Sequence, residues 1–350
     1  MVLCRMNMAV PPIGDFLDSK QGRRGPMMKI NTAIVIYKKS HYQIYTADDQ
    51  DKSVIKRLND GGVGASGLKS SHARQAKAIA IVRKTLKKLN IKTVWRWRSE
   101  TTTMPQADIV ISVGGDGTVL DAARRIRDHT PVLGVNSDPT WSVGRLCAVA
   151  ATELGGALGQ LRQGVIVPKS IARLGFHVVD PGSRQIVSKM YGPYVNELLY
   201  AHPSPAATSR FHLDIGTKDL DEYRPADDAP LIRSSGLWVA TAAGSSAAIK
   251  SAGGRLVALS NTRLQYVIRE PYVPTHKQSE ISNVLSNPRL KHVHVYPKIR
   301  AMINTNDAIY LTSRMRRARM WGDGFLIRRV FDFGNVLQIS RHPRSLQLII

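Results

Sequence analysis

Ile109-Val-Ile-Ser-Val-Gly-Gly-Asp-Gly-Thr118 is the stretch on which the fold turns. An apolar strand, Ile109 to Val113, runs into a glycine turn, and a helix-like stretch from Val119 to Arg127 follows. Gly114, Gly115 and Gly117 let the chain turn sharply, because glycine tolerates positive φ and carries no Cβ. The same smallness lets a diphosphate approach the main chain, whose N–H groups and helix dipole favour anions. Thr118 is placed to be the N-cap of the helix. A carboxylate at the centre of such a loop is a poor choice for anion binding alone, since like charges repel. Asp116 fits better as the acceptor of a proton from an attacking hydroxyl, or as a group that helps hold a metal ion bridging phosphates. Read alone, the five residues also fit a tight strand-to-helix turn with an ordinary turn aspartate.

Outward from this turn the chain alternates strand and helix. Ala33-Ile-Val-Ile-Tyr37 reads as a buried strand. A helix is expected from about Ser71 to Leu89, with Ala78, Val82, Leu86 and Leu89 on one face and Asn90 as its stop. Thr93-Val-Trp-Arg-Trp97 and Thr130-Pro-Val-Leu-Gly-Val135 are further strands. Elements of this length and order predict a doubly wound parallel α/β domain, in which ligands bind at the carboxyl ends of the strands. The Asp116 turn and Gly134-Val-Asn136 both lie at such ends. Beyond about residue 165 strand-like runs dominate: Ile171 to Val179, Phe211 to Ile215, Leu237 to Thr241, Val293 to Tyr296, Ala308 to Leu311, Phe325 to Phe331 and Val336 to Ile339. They predict an antiparallel, β-rich second domain. The expected division is a poorly patterned segment over 1–27, an α/β domain over 28–165 and a β-rich domain over 166–350, whose last strands could return to the first domain. Asp219 to Asp228 reads as an acidic, exposed loop.

Composition narrows the function. The 350 residues carry a formal net charge of +24 and a pI near 10.3, and 43% are hydrophobic. The charge implies polyanionic company such as nucleotide, polyphosphate, nucleic acid or anionic membrane. Its densest cluster is Arg314, Arg316, Arg317 and Arg319, with Arg328 and Arg329. No helix-turn-helix, zinc-finger or RNP-like pattern accompanies it, so specific nucleic-acid binding is not expected. No run reaches membrane-spanning length, and no membrane partner is expected. Two cysteines, Cys4 and Cys147, support neither a disulfide framework nor a zinc site, which fits a reducing, cytoplasmic setting.

Two more segments carry chemistry. One is Asn196-Glu197-Leu-Leu199, between Tyr194 and Ala201-His-Pro-Ser-Pro-Ala-Ala-Thr-Ser-Arg-Phe211. The other is Arg233-Ser-Ser-Gly-Leu-Trp-Val-Ala-Thr-Ala-Ala-Gly-Ser-Ser-Ala-Ala248, continuing to Lys250-Ser-Ala-Gly-Gly254. The latter is a strand that meets a small-residue turn, where Thr241, Ser245, Ser246 and Ser251 offer hydroxyls to a ribose or a phosphate. In order and spacing, the GGDG, NE and Thr/Gly-rich motifs resemble those of the NAD kinase family. The likeness extends to Gly134-Val-Asn136, Asp323-Gly324 and Leu337-Gln-Ile-Ser340, and so covers nearly all of residues 30 to 350. It is strongest toward the plant-type and mitochondrial-type NADH/NAD kinases, through Gly134-Val-Asn-Ser-Asp-Pro139, Ala206-Ala-Thr-Ser-Arg-Phe211, Arg233-Ser-Ser-Gly236, Thr241-Ala-Ala-Gly244 and Arg269-Glu-Pro271.

The resemblance implies ATP-dependent phosphorylation of the adenosine-ribose 2′-hydroxyl of NAD or NADH. It implies Asp116 as proton acceptor and binding roles for Gly114, Gly115, Gly117, Thr118, Asn136, Asn196, Glu197, Arg233, Ser235, Thr241, Ser246, Ala247 and Ser251. It implies Mg²⁺ or another divalent ion on the donor phosphates, and a homodimer or larger assembly in which subunits share a site. Polyphosphate is a second candidate donor, given the charge. The chain departs from the family at Ser235, where an aspartate is usual, and at Ala248, where a tyrosine is frequent. The rival readings are a lipid kinase, which shares the GGDGT loop, and a basic nucleic-acid-binding module. Asp332-Phe-Gly334 copies a protein-kinase signature but lacks its companion motifs and reads as a strand end and turn. His292 and His294 have no third ligand nearby. Trp95 and Trp97 read as core.

Overall fold

The computed structural model describes residues 25–350 apart from 63, 99, 101–103, 141–143, 181–182, 184, 220–230 and 273–298. It divides into two units. One holds the described residues up to Ala122, with Thr130–Lys169 and Leu348–Ile350; the other holds Ala123–His129 and Ser170–Gln347.

The first unit is built on parallel strands. Thr32–Tyr37 lies between Lys92–Trp97 and Ile109–Gly114, and Val132–Asn136 follows beyond the latter. Leu348 and Ile349 pair in parallel with Val132 and Leu133, so the chain's last strand ends here. Every residue of Ile109–Gly114 is buried, as expected for a strand covered on both faces. The helix Ala65–Lys88 turns Ala78, Val82 and Leu86 into the core. It begins six residues before the expected Ser71, because its first turns are polar and carry no apolar stripe. Asn90, at φ 54°, ends the helical path as anticipated. Trp95 packs on the apolar cluster of this unit with Arg83 over its ring, and Lys39 lies over Trp97.

One local expectation is corrected. The helix after the glycine turn spans Asp116–Arg125 rather than starting past Thr118. Thr118 therefore sits inside the first turn, its N–H donating to Gly115 O at 2.8 Å. It is not an N-cap. Its hydroxyl is buried, and a Cβ on Gly114 would lie 2.2 Å from it.

In the second unit the described residues form two six-stranded antiparallel sheets. One runs Leu231–Ser234, Ser209–Thr217, Asp307–Ser313, Val336–Arg341, Leu174–Val179, Tyr191–Tyr194. The other runs Arg300–Ile303, Leu264–Arg269, Gly236–Ala240, Glu197–Ala201, Arg319–Gly322, Phe325–Leu326. Alternate residues of both, among them Phe176, Phe211, Leu237, Val239, Leu311 and Leu337, share one apolar core. The strand expected over Ile171 to Val179 breaks at Ala172 and Arg173. Arg173 is fully buried and donates to the carbonyls of Ala123, Ile126, Arg344 and Ser345. Burial pushes its guanidinium down to about 10. The strand expected over Phe325 to Phe331 stops at Leu326, since Arg329 N–H turns back to Ile327 O and Phe331 dives into the core. Val293 to Tyr296 and the two histidines near it lie outside the described residues, as does most of the acidic loop. No described helix is long and apolar enough to cross a membrane.

Candidate active site

The first unit gathers the glycine turn and Asn136. Gly114 and Asn136 face each other across neighbouring parallel strands, and Ser137 N–H donates to Gly114 O at 3.0 Å. Asp116 is half-buried at the start of its helix. Its two carboxylate oxygens accept the N–H groups of Arg145 at 3.0 Å and Leu146 at 2.8 Å. The Arg145 guanidinium feels the Asp116 charge, although burial sets the direction and pulls it below its ordinary value. Cys147 Sγ lies 3.9 Å from Asp116, and burial, seconded by that carboxylate, pushes its thiol up. The turn that supplies these donors depends on Gly144. Its φ is +64°, and a Cβ there would come 2.5 Å from Asn136 Nδ2. A carboxylate held in this way is fixed in direction and keeps lone pairs for an incoming hydroxyl.

Three further polar residues of this unit, Arg98, Asp138 and Gln75, were given no role by the motifs. Arg98 follows the strand Lys92–Trp97 and brings its guanidinium to Gly117, where a Cβ would stand 3.2 Å from Nη1. Asp138, only 2% exposed, accepts from Arg74 Nε at 2.6 Å and Ser71 Oγ at 2.8 Å, tying the long helix to the end of Val132–Asn136. Gln75, also buried, donates to Lys38 O. Their signal in the sequence is weak, because each partner lies tens of residues away.

The second unit gathers Asn196, Glu197, Thr241 and Gly244. Thr241 N–H donates to Asn196 O at 2.9 Å, and its hydroxyl donates to Val195 O. A Cβ on Gly244 would fall 2.1 Å from Asn196 O, so only glycine fits against that peptide. Asp323 locks the same segment. It sits in a two-residue hairpin loop with Gly324, both at positive φ, between the paired residues Gly322 and Phe325. From there its carboxylate accepts the N–H groups of Val195 at 2.8 Å, Asn196 at 2.7 Å and Glu197 at 3.3 Å. Burial pushes Asp323 up to about 6 against those three donors. Burial, then the charge of Asp323, pushes Glu197 up to about 8. Asn196 Oδ1 and Glu197 Oε2 are both buried and have no hydrogen-bond partner among the described residues. Buried acceptors of this kind are costly unless a ligand completes them.

The hydroxyls of the small-residue turn divide. Thr241 and Ser245 spend theirs inside the protein, Ser245 on Ala242 O and Val257 N–H. Ser246 and Ala247 are half-buried and Ser251 is exposed at the end of the short helix Ala248–Ser251. Arg233 and Ser235 stand elsewhere. Ser235 precedes the strand Gly236–Ala240 and Thr241 follows it, so roughly 20 Å of extended chain separates them. Ser235 N–H donates to Arg269 O, and the Arg233 side chain is exposed.

Comparison with known proteins bears on these two clusters. Residues 46–144, which include the glycine turn, match the model of the ATP-NAD kinase N-terminal domain. A probable NADH kinase of Oryza sativa subsp. japonica is 31% identical over 260 residues, covering 69% of this chain and 71% of the relative. The chain belongs to the NAD kinase family. An NADH kinase of Arabidopsis thaliana is 32% identical over 258 residues, covering 69% and 73% of the two chains. The human mitochondrial NAD kinase 2 is 32% identical over 114 residues, 32% of this chain and 25% of the relative. These relatives fall in the plant and mitochondrial branch of the family. The fold agrees. A yeast NADH kinase complexed with NADH superposes with a TM-score of 0.60 at 12% identity, covering 91% of this chain and 83% of that one. An NAD kinase from Archaeoglobus fulgidus in complex with ATP superposes with a TM-score of 0.55 at 17% identity, covering 91% and 93%.

Proposed function

We propose that this member of the NAD kinase family transfers the γ-phosphoryl group of ATP to the adenosine-ribose 2′-hydroxyl of NAD(H), with Asp116 as the base. The observation that carries the reading is the Asp116 carboxylate, directed by the N–H groups of Arg145 and Leu146 at the start of the helix that follows the glycine turn. A ribose hydroxyl is a poor nucleophile at neutral pH. Asp116 takes its proton as the new O–P bond forms, while the bond to ADP breaks and ADP leaves with the electron pair. Gly114, Gly115, Gly117 and Thr118 admit the phosphates, and Asn136 closes that end of the sheet. Asn196 and Glu197 offer the dinucleotide their unpartnered acceptors, with Thr241 and Gly244 fixing the peptide between them. Ser246, Ala247 and Ser251 line the adenosine side.

Among the described residues no three His, Cys, Asp or Glu side chains gather as a metal cage. Mg²⁺ carried by ATP would neutralise the charge on the donor phosphates. Arg233 and Ser235, at the far end of their strand from Thr241, serve the site of a neighbouring subunit in a homodimer or larger assembly. The unit of parallel strands is the domain of the base, and the unit of two antiparallel sheets is the dinucleotide-binding domain. The cysteine content favours a cytoplasmic enzyme, while three of the relatives carry a mitochondrial designation; fractionation decides between compartments. The lipid-kinase and nucleic-acid readings rested on one loop and on charge, whereas the relatives match over some 260 residues.

The test is NADP(H) formation by the purified protein, with NAD and NADH each offered with ATP or polyphosphate, and a diacylglycerol alongside. ATP-dependent formation of NADP or NADPH is expected. Phosphorylation of the lipid alone, or none of the dinucleotides, overturns the reading.

A further inference from the structure

Part of the outer face of one sheet in the second unit is polar yet buried. Along Val336–Arg341, Leu337 and Ile339 face the core, so Gln338 and Ser340 face away from it. Their cross-strand partners on that outer face are Tyr310, His177 and Gly175. A polar face of this kind normally meets solvent. Here Tyr310 is 2% exposed, Gln338 3%, Ser340 6% and the neighbouring His342 7%.

Tyr310 and Gln338 are satisfied internally. The tyrosine hydroxyl donates to Thr217 O at 2.7 Å, and the Gln338 amide donates to Lys218 O and to the Tyr310 oxygen. The Ser340 hydroxyl makes no hydrogen bond among the described residues. It opens instead into a recess of about 530 Å³ lined by His177, Lys218, Asn306, Gln338, Arg341 and His342 among others.

The charged side chains that line the recess, Lys218 and Arg341, are both cations, with Asp307 acting on Lys218 from nearby. The Lys218 ammonium donates to Thr305 O, and neither it nor Arg341 has a carboxylate within ion-pair distance among the described residues. Burial and then Arg341 hold Lys218 below its ordinary value. Asp307, the acid that acts on Lys218, takes the amide of Asn304 at 2.9 Å. His342 is held down to about 4, chiefly by burial, so at neutral pH it presents an uncharged ring. Two mutually repelling cations beside a hydroxyl that opens into the recess form a binding arrangement that a doubly charged oxyanion would relieve.

We propose that this recess is a phosphoanion-binding site, with Lys218 and Arg341 holding the charge and Ser340 donating a hydrogen bond. The ligand class is a phosphate or diphosphate group, free or carried by a nucleotide. The inference does not rest on the kinase reading, since none of these residues belongs to the clusters around Asp116 or Asn196.

The test is calorimetric titration of the full chain with inorganic pyrophosphate and, separately, with ADP. The wild type is compared with the Lys218→Ala/Arg341→Ala double variant and with Ser340→Ala. We expect the double variant to lose one pyrophosphate site, by at least tenfold in affinity, and Ser340→Ala to weaken it severalfold. NADP(H) formation should stay within twofold in both. Loss of the same site toward ADP identifies a nucleotide phosphate as the ligand, and loss toward pyrophosphate alone identifies the free anion. Wild-type stoichiometry and affinity in both variants, or a change equal for the double variant and a Lys169→Ala control, overturns the proposal.

Discussion

Asp116 and Asp323 use the same device to different ends. Each carboxylate grips main-chain N–H groups of another segment, Asp116 those of Arg145 and Leu146, Asp323 those of Val195, Asn196 and Glu197. Asp323 is 6% exposed and accepts three main-chain N–H groups of the protein. Asp116 is half-buried, bonds two donors and can still meet a substrate. The difference teaches that a loop carboxylate held by two donors keeps acceptor capacity for a substrate, the property the proposed base needs, whereas one buried under three donors acts as a lock. Glu197 stands beside the lock with an unpartnered oxygen, and its cost is visible in the upward push to about 8.

The comparison can be broken first at Asp116. Asp116→Asn should lower kcat by about a hundred- to ten-thousandfold, the range for loss of a positioned base. The amide accepts only one of the two N–H groups, so the melting temperature should fall only slightly. Dinucleotide affinity should persist, and unchanged turnover would remove Asp116 from the chemistry. Asp323→Ala should act the other way, on stability. Three buried N–H groups lose their acceptor, which costs about 3 kcal/mol after the relief of uncovering no charge. A fall of roughly 5–10 °C in melting temperature is the expected reading, with kcat reduced far less than in Asp116→Asn.

Gly144→Ala sharpens the comparison by disturbing the holder rather than the held. Positive φ and the clash with Asn136 cost about 1–2 kcal/mol. The displaced Arg145 and Leu146 N–H groups should lower kcat about tenfold through misplacement of Asp116, measured at constant temperature well below melting. The last effect, on stability and not on turnover, concerns Glu197. A carboxyl pushed up to about 8 contributes fully to stability below its ordinary value near 4.5, and that contribution is lost as pH rises toward 8. Glu197→Gln should therefore flatten the decline of melting temperature between pH 5 and pH 8. An identical decline in the variant would assign the pH dependence to another group, Asp323 first.

Much of this was legible in the chain. The parallel strands, the glycine turn and the motif order follow from local pattern, because strand burial and glycine chemistry are written in neighbouring residues. The Asp323 lock was quoted only as Asp323-Gly324, since its partners lie more than 120 residues away and nothing local marks a hairpin carboxylate as a long-range acceptor. Arg173 was hidden for the same reason: an arginine inside an apolar run gives no hint that it will cap distant carbonyls. Thr118 misled because it looks like a cap, while the helix in fact starts at Asp116, whose position gives the first turn its acid. The run Phe325 to Phe331 misled because strand-forming residues continue past the point where the backbone turns. The hydroxyls of Thr241 and Ser245 were visible, but not that the protein itself would use them.

The most direct measurement is the structure of the product. Incubated with ATP and either NAD or NADH, the protein should yield a dinucleotide whose new phosphate is assigned by ³¹P and ¹H NMR to the adenosine-ribose 2′-oxygen, and Asp116→Asn should yield almost none. A phosphate at any other position, or equal yield from the variant, would contradict the account.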